Sequence, residues 1–244
     1  MNTFAVKGGI GDFLQCLPFM LAHKDNRYLV ATHYDRPWEF FDQLGIYTTY
    51  DVSLGRLGGV KECPRQTFFG VNPFPRRPPI FTGNRPVVGI HLGGSGYSLS
   101  VEKRFGFPPK ALPRSILDGI IAGGNEYDLL LFGSPEELDE IGCIGHARKV
   151  RNDNIIVSLS HVAECSAFIG SDSAFKTMSA MLEIPTIVLM GDYRDGHRDS
   201  RFIEPYDDVI ATFRYKDLTN PDEVAAAVEF CLELLEAKCL VSQT

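Results

Sequence analysis

No apolar run in this 244-residue chain approaches the ~20 residues that span a bilayer, so no transmembrane segment is expected. Positive charge is in deficit: 24 Lys and Arg stand against 31 Asp and Glu, a net charge of −7. That balance disfavours tight non-specific binding to nucleic acid. The six cysteines contain no Cys-x-x-Cys pair, and the six histidines do not cluster at metal-ligand spacing. Reduced, buried thiols are therefore expected rather than a zinc site or a disulfide framework. No Asp-x-Asp pair occurs, nor any internal repeat or low-complexity tract. The first glycine loop lacks the third glycine of a dinucleotide fingerprint, which argues against an NAD-linked dehydrogenase. The N-terminus, MNTFAVKGG, enters a strand pattern directly, so no signal peptide and a cytoplasmic location are expected.

What is present is an ordinary globular composition, 44% hydrophobic and 23% charged, in a length that suits one large domain or two small ones. Thr3 to Lys7 reads as a strand, Gly8-Gly9-Ile10-Gly11 as a tight loop, and Asp12 to about His23 as a helix with Phe13, Leu14, Leu17, Met20 and Leu21 on one face. Tyr28 to Ala31 is a second strand and 36–44 a short helix, with further short strands between 46 and 70. Residues 71–86 hold five prolines, a run that continues neither a helix nor a central strand and reads as a linker. A strand–helix rhythm then restarts: strands at 86–92 and 128–132, helices at about 110–122 and from Pro135, and a short helix at 158–165. Residues 221–238 give the strongest helix pattern. This alternation predicts an α/β fold of parallel sheets with right-handed crossovers.

The most informative stretch is 166–191, SAFIGSDSAFKTMSAMLEIPTIVLMG. It reads as a strand ending at Gly170, a polar turn through Asp172 and Ser173, a helix with Phe175, Met178, Met181 and Leu182 at helical spacing, and a buried strand at 186–190. Such a strand-to-helix turn presents backbone N–H groups and the positive helix end to an anion. It also lies at the sheet edge where open α/β folds bind ligands.

The stretch resembles the C-terminal signature of the ADP-heptose:lipopolysaccharide heptosyltransferase family (glycosyltransferase family 9). That signature runs Asp-Ser/Thr-Gly, His-Leu-Ala, a small-residue helix, then Pro-Thr and an apolar strand. Here it stands as Asp172-Ser173-Ala174, Thr177-Met178-Ser179 and Pro185-Thr186. Ala174 replaces the family's glycine, and Thr177 its histidine. The resemblance implies a GT-B-like fold: two Rossmann-like lobes with mostly parallel sheets facing a cleft. An acceptor-side lobe over 1–80, reduced in size, and a nucleotide-sugar lobe over 81–244 are expected. The last helix would pack back on the first lobe.

Further motifs take their meaning beside that resemblance. Gly11-Asp12 with Pro18 matches the family's opening, where the aspartate faces the cleft as general base. On residue type alone, Asp12 is a helix N-cap. His91-Leu92-Gly93-Gly94-Ser95-Gly96 followed by Lys103-Arg104-Phe105 is similar to the family's Gly/Ser turn and basic pair. Ser95, Lys103 and Arg104 would then meet the donor diphosphate, whose leaving group gains charge. Glu137, after Gly133-Ser134, falls where the family places a ribose-binding glutamate; a capped helix start explains it equally well. At the 170–177 turn, Asp172 would contact the donor sugar, while Ser173 and the N–H of Ala174 cradle phosphate. Arg194, His197, Arg198 and Arg201 suit an anion, but alternate with Asp192, Asp195 and Asp199 as a self-paired surface loop would.

The expected function is a metal-independent glycosyltransferase that uses no cofactor. It would move a sugar from a nucleotide-diphosphate sugar to an acceptor hydroxyl, with Asp12 as base and Gly11 among the donor-side residues. The acceptor is left open among saccharide, lipid-linked glycan and nucleic acid. Two alternatives stand beside it: a catalytically silent nucleotide-sugar-binding module, favoured by Ala174 and Thr177, and a glycosyltransferase acting on modified DNA bases.

Overall fold

Two all-parallel sheets organise the chain, as seen in a computed structural model that describes residues 2–32, 37–50, 59–66, 70, 72–93, 112–124, 126–145, 147–191 and 209–239. The first sheet contains β1 (Thr3–Lys7), β2 (Arg27–Ala31), β3 (Thr48–Tyr50) and β4 (Lys61–Glu62), in the order β3-β2-β1-β4. Helices α1 (Ile10–Ala22) and α2 (Pro37–Asp42) connect it. Strand β1 pairs with β2 from Thr3 against Arg27 to Lys7 against Ala31, and with β4 at Phe4 against Lys61.

The second sheet contains β5 (Val87–His91), β6 (Asp128–Phe132), β7 (Arg148–Lys149), β8 (Ala167–Gly170), β9 (Thr186–Gly191) and β10 (Ile210–Tyr215), in the order β10-β9-β8-β5-β6-β7. Its helices are α3 (Arg114–Gly123), α4 (Pro135–Ile141), α5 (Ile155–Ser160), α6 (Ala174–Met181) and α7 (Pro221–Cys239), with a 3-10 turn at His161–Glu164. From β5 the chain winds outward to β7, then returns to the other side of β5 for β8, β9 and β10. This is the doubly wound dinucleotide-fold order, and its switch point lies between β5 and β8.

Burial follows from this layering. Every residue of β5, β8 and β9 is buried, as strands covered on both faces require. On one face, Ile116, Leu117 and Ile120 of α3 and Ala227, Cys231 and Leu235 of α7 pack with Val88, Ile90, Leu129 and Leu131. On the other, Phe132, Phe168, Phe175 and Met178 continue without a break into Phe13, Leu17, Phe40 and Phe41 of the first sheet's helices. The two sheets thus share one core, through α1 and α6.

Helix α6 is buried along its whole length, polar residues included. Each of those polar groups has a partner, as burial demands: the Thr177 hydroxyl donates to the Ser173 carbonyl at 3.3 Å, and the Ser179 and Thr186 hydroxyls bond at 2.8 Å.

One expectation changes, and two features go beyond what the sequence pattern predicts. Helix α7 does not have its buried stripe on the first sheet; Ala227, Cys231 and Leu235 seat it on the second. Strands β7 and β10, which the sequence pattern did not announce, close the two edges of that sheet. The proline-rich segment has no regular structure over 72–86, yet it is pinned: Phe74 is in the core, the Ile80 N–H donates to Glu164 at 2.6 Å, and Arg148 donates to the Ile80 carbonyl at 2.5 Å. Among the described residues, no helix is long and apolar enough to cross a membrane.

Candidate functional site

Each sheet has a switch point at its central strand, and the two helices that start there meet. In the first sheet β1 lies between β2 and β4, and the chain leaves β1 through Gly8 and Gly9 into α1. In the second, β5 ends at His91, and β8 leads through Ser171 to Ser173 into α6. A Cβ on Gly11 would stand 3.4 Å from the Thr177 hydroxyl and 3.7 Å from the Ala174 Cα. Side-chain bulk at Gly11 would wedge α1 from α6.

On the first side, Asp12 is the third residue of α1. Its Oδ2 accepts the Gly9 N–H at 2.9 Å, so it caps the helix by reaching back rather than from the N-cap position, which Gly9 occupies. Its Oδ1 pairs with the Arg65 guanidinium at 2.9 Å, and the side chain is 18% exposed. Gly8 makes this arrangement possible. Its φ is +122°, and a Cβ there would lie 2.1 Å from Asp12 Oδ2. The Thr32 hydroxyl donates to the Gly8 carbonyl at 2.6 Å and fixes the loop.

On the second side, a carboxylate, an imidazole and a hydroxyl line up across the switch point. His91, 4% exposed, places Nδ1 3.0 Å from Ser173 Oγ and Nε2 3.7 Å from Glu137 Oε2. The His91 ring rests on Phe175, centroids 4.7 Å apart. Ser173 caps α6 by accepting the Lys176 N–H at 3.4 Å. Glu137 caps α4 by accepting the Ser134 N–H at 2.7 Å, and Ser134 accepts the Glu137 N–H at 3.2 Å. Burial pushes the Glu137 carboxyl upward, but the nearby His91 ring and the Ser134 N–H outweigh it and hold the group below its ordinary value. The Ser171 hydroxyl donates to the Gly93 carbonyl at 2.6 Å, tying the two strand ends together.

Asp172, just before the cap, pairs through Oδ1 with Lys176 Nζ at 2.8 Å, and Lys176 is 0% exposed. A buried lysine needs such a partner. Ala174 opens α6, and among the described residues Glu183 is the one non-glycine with a positive φ. The backbone at Ala174 therefore makes no demand for glycine.

The structure brings Gly11 against Ala174 and Thr177 of α6, pairs Asp12 with Arg65 and Asp172 with Lys176, and sets Glu137 and Ser173 on either side of His91. Ser95, Lys103, Arg104, Arg194, His197, Arg198 and Arg201 lie outside the described residues. Sequence reasoning gave no role to Arg65 or His91. Arg65 sits in a stretch with no periodicity, and no local pattern pairs it with Asp12. The signal for His91 was its position at the C-terminal end of the first strand of a doubly wound unit. Among the described residues, no group of three His, Cys, Asp or Glu side chains has the placement to hold a metal ion.

No protein-family model matches the chain, and no curated protein matches its sequence. Solved structures do match. One is a family 9 glycosyl transferase from Veillonella parvula DSM 2008, 11% identical with a TM-score of 0.52, aligned over 95% of this chain and 97% of that one. Another is the ADP-heptose lps heptosyltransferase II of E. coli, 14% identical with a TM-score of 0.58, aligned over 100% of both chains. The fold is the one these glycosyltransferases share. The GT-B-like expectation of two parallel-sheet units is met, with the first sheet the smaller.

Proposed function

We propose that the protein is a glycosyltransferase that binds a nucleotide-diphosphate sugar at the second sheet's switch point and presents the sugar to the first. The observation that supports this reading is the contact of α1 with α6, where a Cβ on Gly11 would stand 3.4 Å from the Thr177 hydroxyl and 3.9 Å from the Ala174 N, with Asp12 the next residue of α1. Glu137 offers its carboxylate to the ribose. Ser173 and the Ala174 N–H face the diphosphate at a positive helix end, and Asp172 faces the transferred sugar. No metal is invoked; helix N–H groups and the basic residues Lys103 and Arg104 take the charge of the leaving diphosphate.

In this scheme Asp12 accepts the proton of the acceptor hydroxyl as its oxygen attacks the anomeric carbon. Both carboxylate oxygens are engaged in the free protein, one by Gly9 and one by Arg65. The acceptor hydroxyl has to displace Arg65 from Oδ1, while the Gly9 bond keeps the carboxylate oriented.

The same Arg65 pair favours a second reading, a module that binds the donor without transferring its sugar. Thr177 adds to it, because the residue in the place of the family's histidine is spent on a bond to the Ser173 carbonyl and on packing against Gly11. Incubation with ADP-, UDP-, GDP- and CDP-sugars, with release of nucleoside diphosphate as the readout, separates the two. Transfer or slow donor hydrolysis that drops in Asp12→Asn supports catalysis. Binding without turnover, unchanged in Asp12→Asn, supports the silent module.

A further inference from the structure

We propose that His91 is a positioning residue whose protonation sets the direction of the Ser173 hydroxyl, so that a bound diphosphate takes up a proton at His91. The inference rests on the donor-binding reading of the α6 turn and deepens it.

The chemistry follows from counting hydrogens. Nε2 faces the Glu137 carboxylate at 3.7 Å, so that nitrogen carries the hydrogen; a bare Nε2 would set two lone-pair groups against each other. In the neutral ring Nδ1 then has only a lone pair, and the Ser173 hydroxyl 3.0 Å away must donate to it. Ser173 Oγ also accepts the Lys176 N–H at 3.4 Å. The hydroxyl hydrogen is thus spent inside the protein, and Ser173 has none left for a ligand oxygen.

Protonation reverses the bond. With both ring nitrogens carrying hydrogen, Nδ1–H donates to Ser173 Oγ, and the Ser173 hydrogen is free to turn to a phosphate oxygen. The proton comes from solvent, and the added positive charge is offset by Glu137 on one side and the ligand on the other. The charged groups on the described elements around the ring are Glu137 on α4 and the Asp172–Lys176 pair at α6; across the α1–α6 contact lies the Asp12–Arg65 pair. Among the described residues, Glu137 is the charged side chain that the ring nitrogen Nε2 faces. Proton and diphosphate then bind with reciprocal coupling.

Two measurements test this. Nitrogen-15 NMR of the imidazole in the ligand-free protein should show the Nε2–H tautomer at high pH, with ring signals that move in both Ser173→Ala and Glu137→Gln. Calorimetric titration with ADP and UDP in buffers of different ionisation enthalpy should show uptake of about one proton, with Kd rising as pH is raised. His91→Asn, whose amide keeps a donor toward Ser173 but does not titrate, should bind without that pH dependence. An Nδ1–H tautomer, or ring signals unmoved in Ser173→Ala, overturns the proposal whether or not a nucleotide binds. So does proton uptake that persists in His91→Asn. Failure of both nucleotides to bind at any pH counts against the donor-binding reading, and the NMR result then decides the His91 assignment alone.

Discussion

Gly11 on α1 lies against Thr177 on α6, and a Cβ at the glycine would stand 3.4 Å from the threonine hydroxyl. That contact joins the two sheets through the helices that start at their switch points. Its tightness gives a graded expectation. Gly11→Ala fits at ordinary contact distance and should change stability by less than about 1 kcal/mol, since helix propensity favours it. Gly11→Val has to push the helices apart and should cost about 1–3 kcal/mol. Urea unfolding midpoints of the two variants check this, and equal costs would contradict it.

At Gly8 the expectation is sharper. A φ of +122° and a Cβ 2.1 Å from Asp12 Oδ2 leave no room for a side chain. Gly8→Ala should destabilise by about 1–3 kcal/mol and displace the Asp12 carboxylate. Loss of nucleotide-sugar turnover with nucleotide binding retained would mark the displacement as local.

The pH dependence of stability follows from Glu137. Its carboxyl sits below the ordinary value in the folded protein, so its contribution is present above the unfolded value of about 4.3. That contribution is lost as pH falls through the lower folded value. Glu137→Gln should flatten this acid limb and leave the neutral region nearly parallel to wild type. Urea midpoints between pH 3 and 7 read it directly; an unchanged acid limb would contradict the His91–Glu137 interaction.

Thiol reactivity should separate the cysteines by burial. Cys143 is exposed, while Cys16, Cys63, Cys165 and Cys231 are buried free thiols. Burial also pushes Cys231 up to about 12, which suppresses its thiolate. Among these five, native-state alkylation followed by peptide mass spectrometry should label Cys143 first. Rapid labelling of Cys165 or Cys231 would show that the packing around the second sheet opens readily.

The parts of the fold that were legible in the sequence are those with strong local patterns. The apolar runs of β5, β6, β8 and β9 could be read because a strand covered on both faces must be apolar throughout. The Gly170-to-Ser173 turn carried its cap signal in its own residues. Strand β10 escaped because Arg214 and the half-buried Ala211, Thr212 and Phe213 make a mixed pattern at a sheet edge. The seat of α7 could not be read because the stripe Ala227, Cys231 and Leu235 states that the helix is buried, not against which sheet.

The site was legible in part for the same reason. Asp12, Glu137 and Ser173 each stand at a helix start with a local signature. Their partners Arg65 and His91 come from distant segments and join them only once strand order is set. Residue type alone also misplaced Asp12 as an N-cap, because the glycines before it let α1 begin earlier, at Ile10.

The central claim is that a nucleotide-diphosphate sugar binds at the second switch point. The most direct measurement is the thermal midpoint of wild type and of Ser173→Ala with ADP-, UDP-, GDP- and CDP-sugars. A ligand at 100 times its Kd stabilises by about 2.7 kcal/mol, or roughly 5–10 °C for a chain of this size. The expected result is such a rise with one of these nucleotide sugars, reduced in Ser173→Ala. No rise with any of them, or a rise untouched by the substitution, would contradict the assignment of the site.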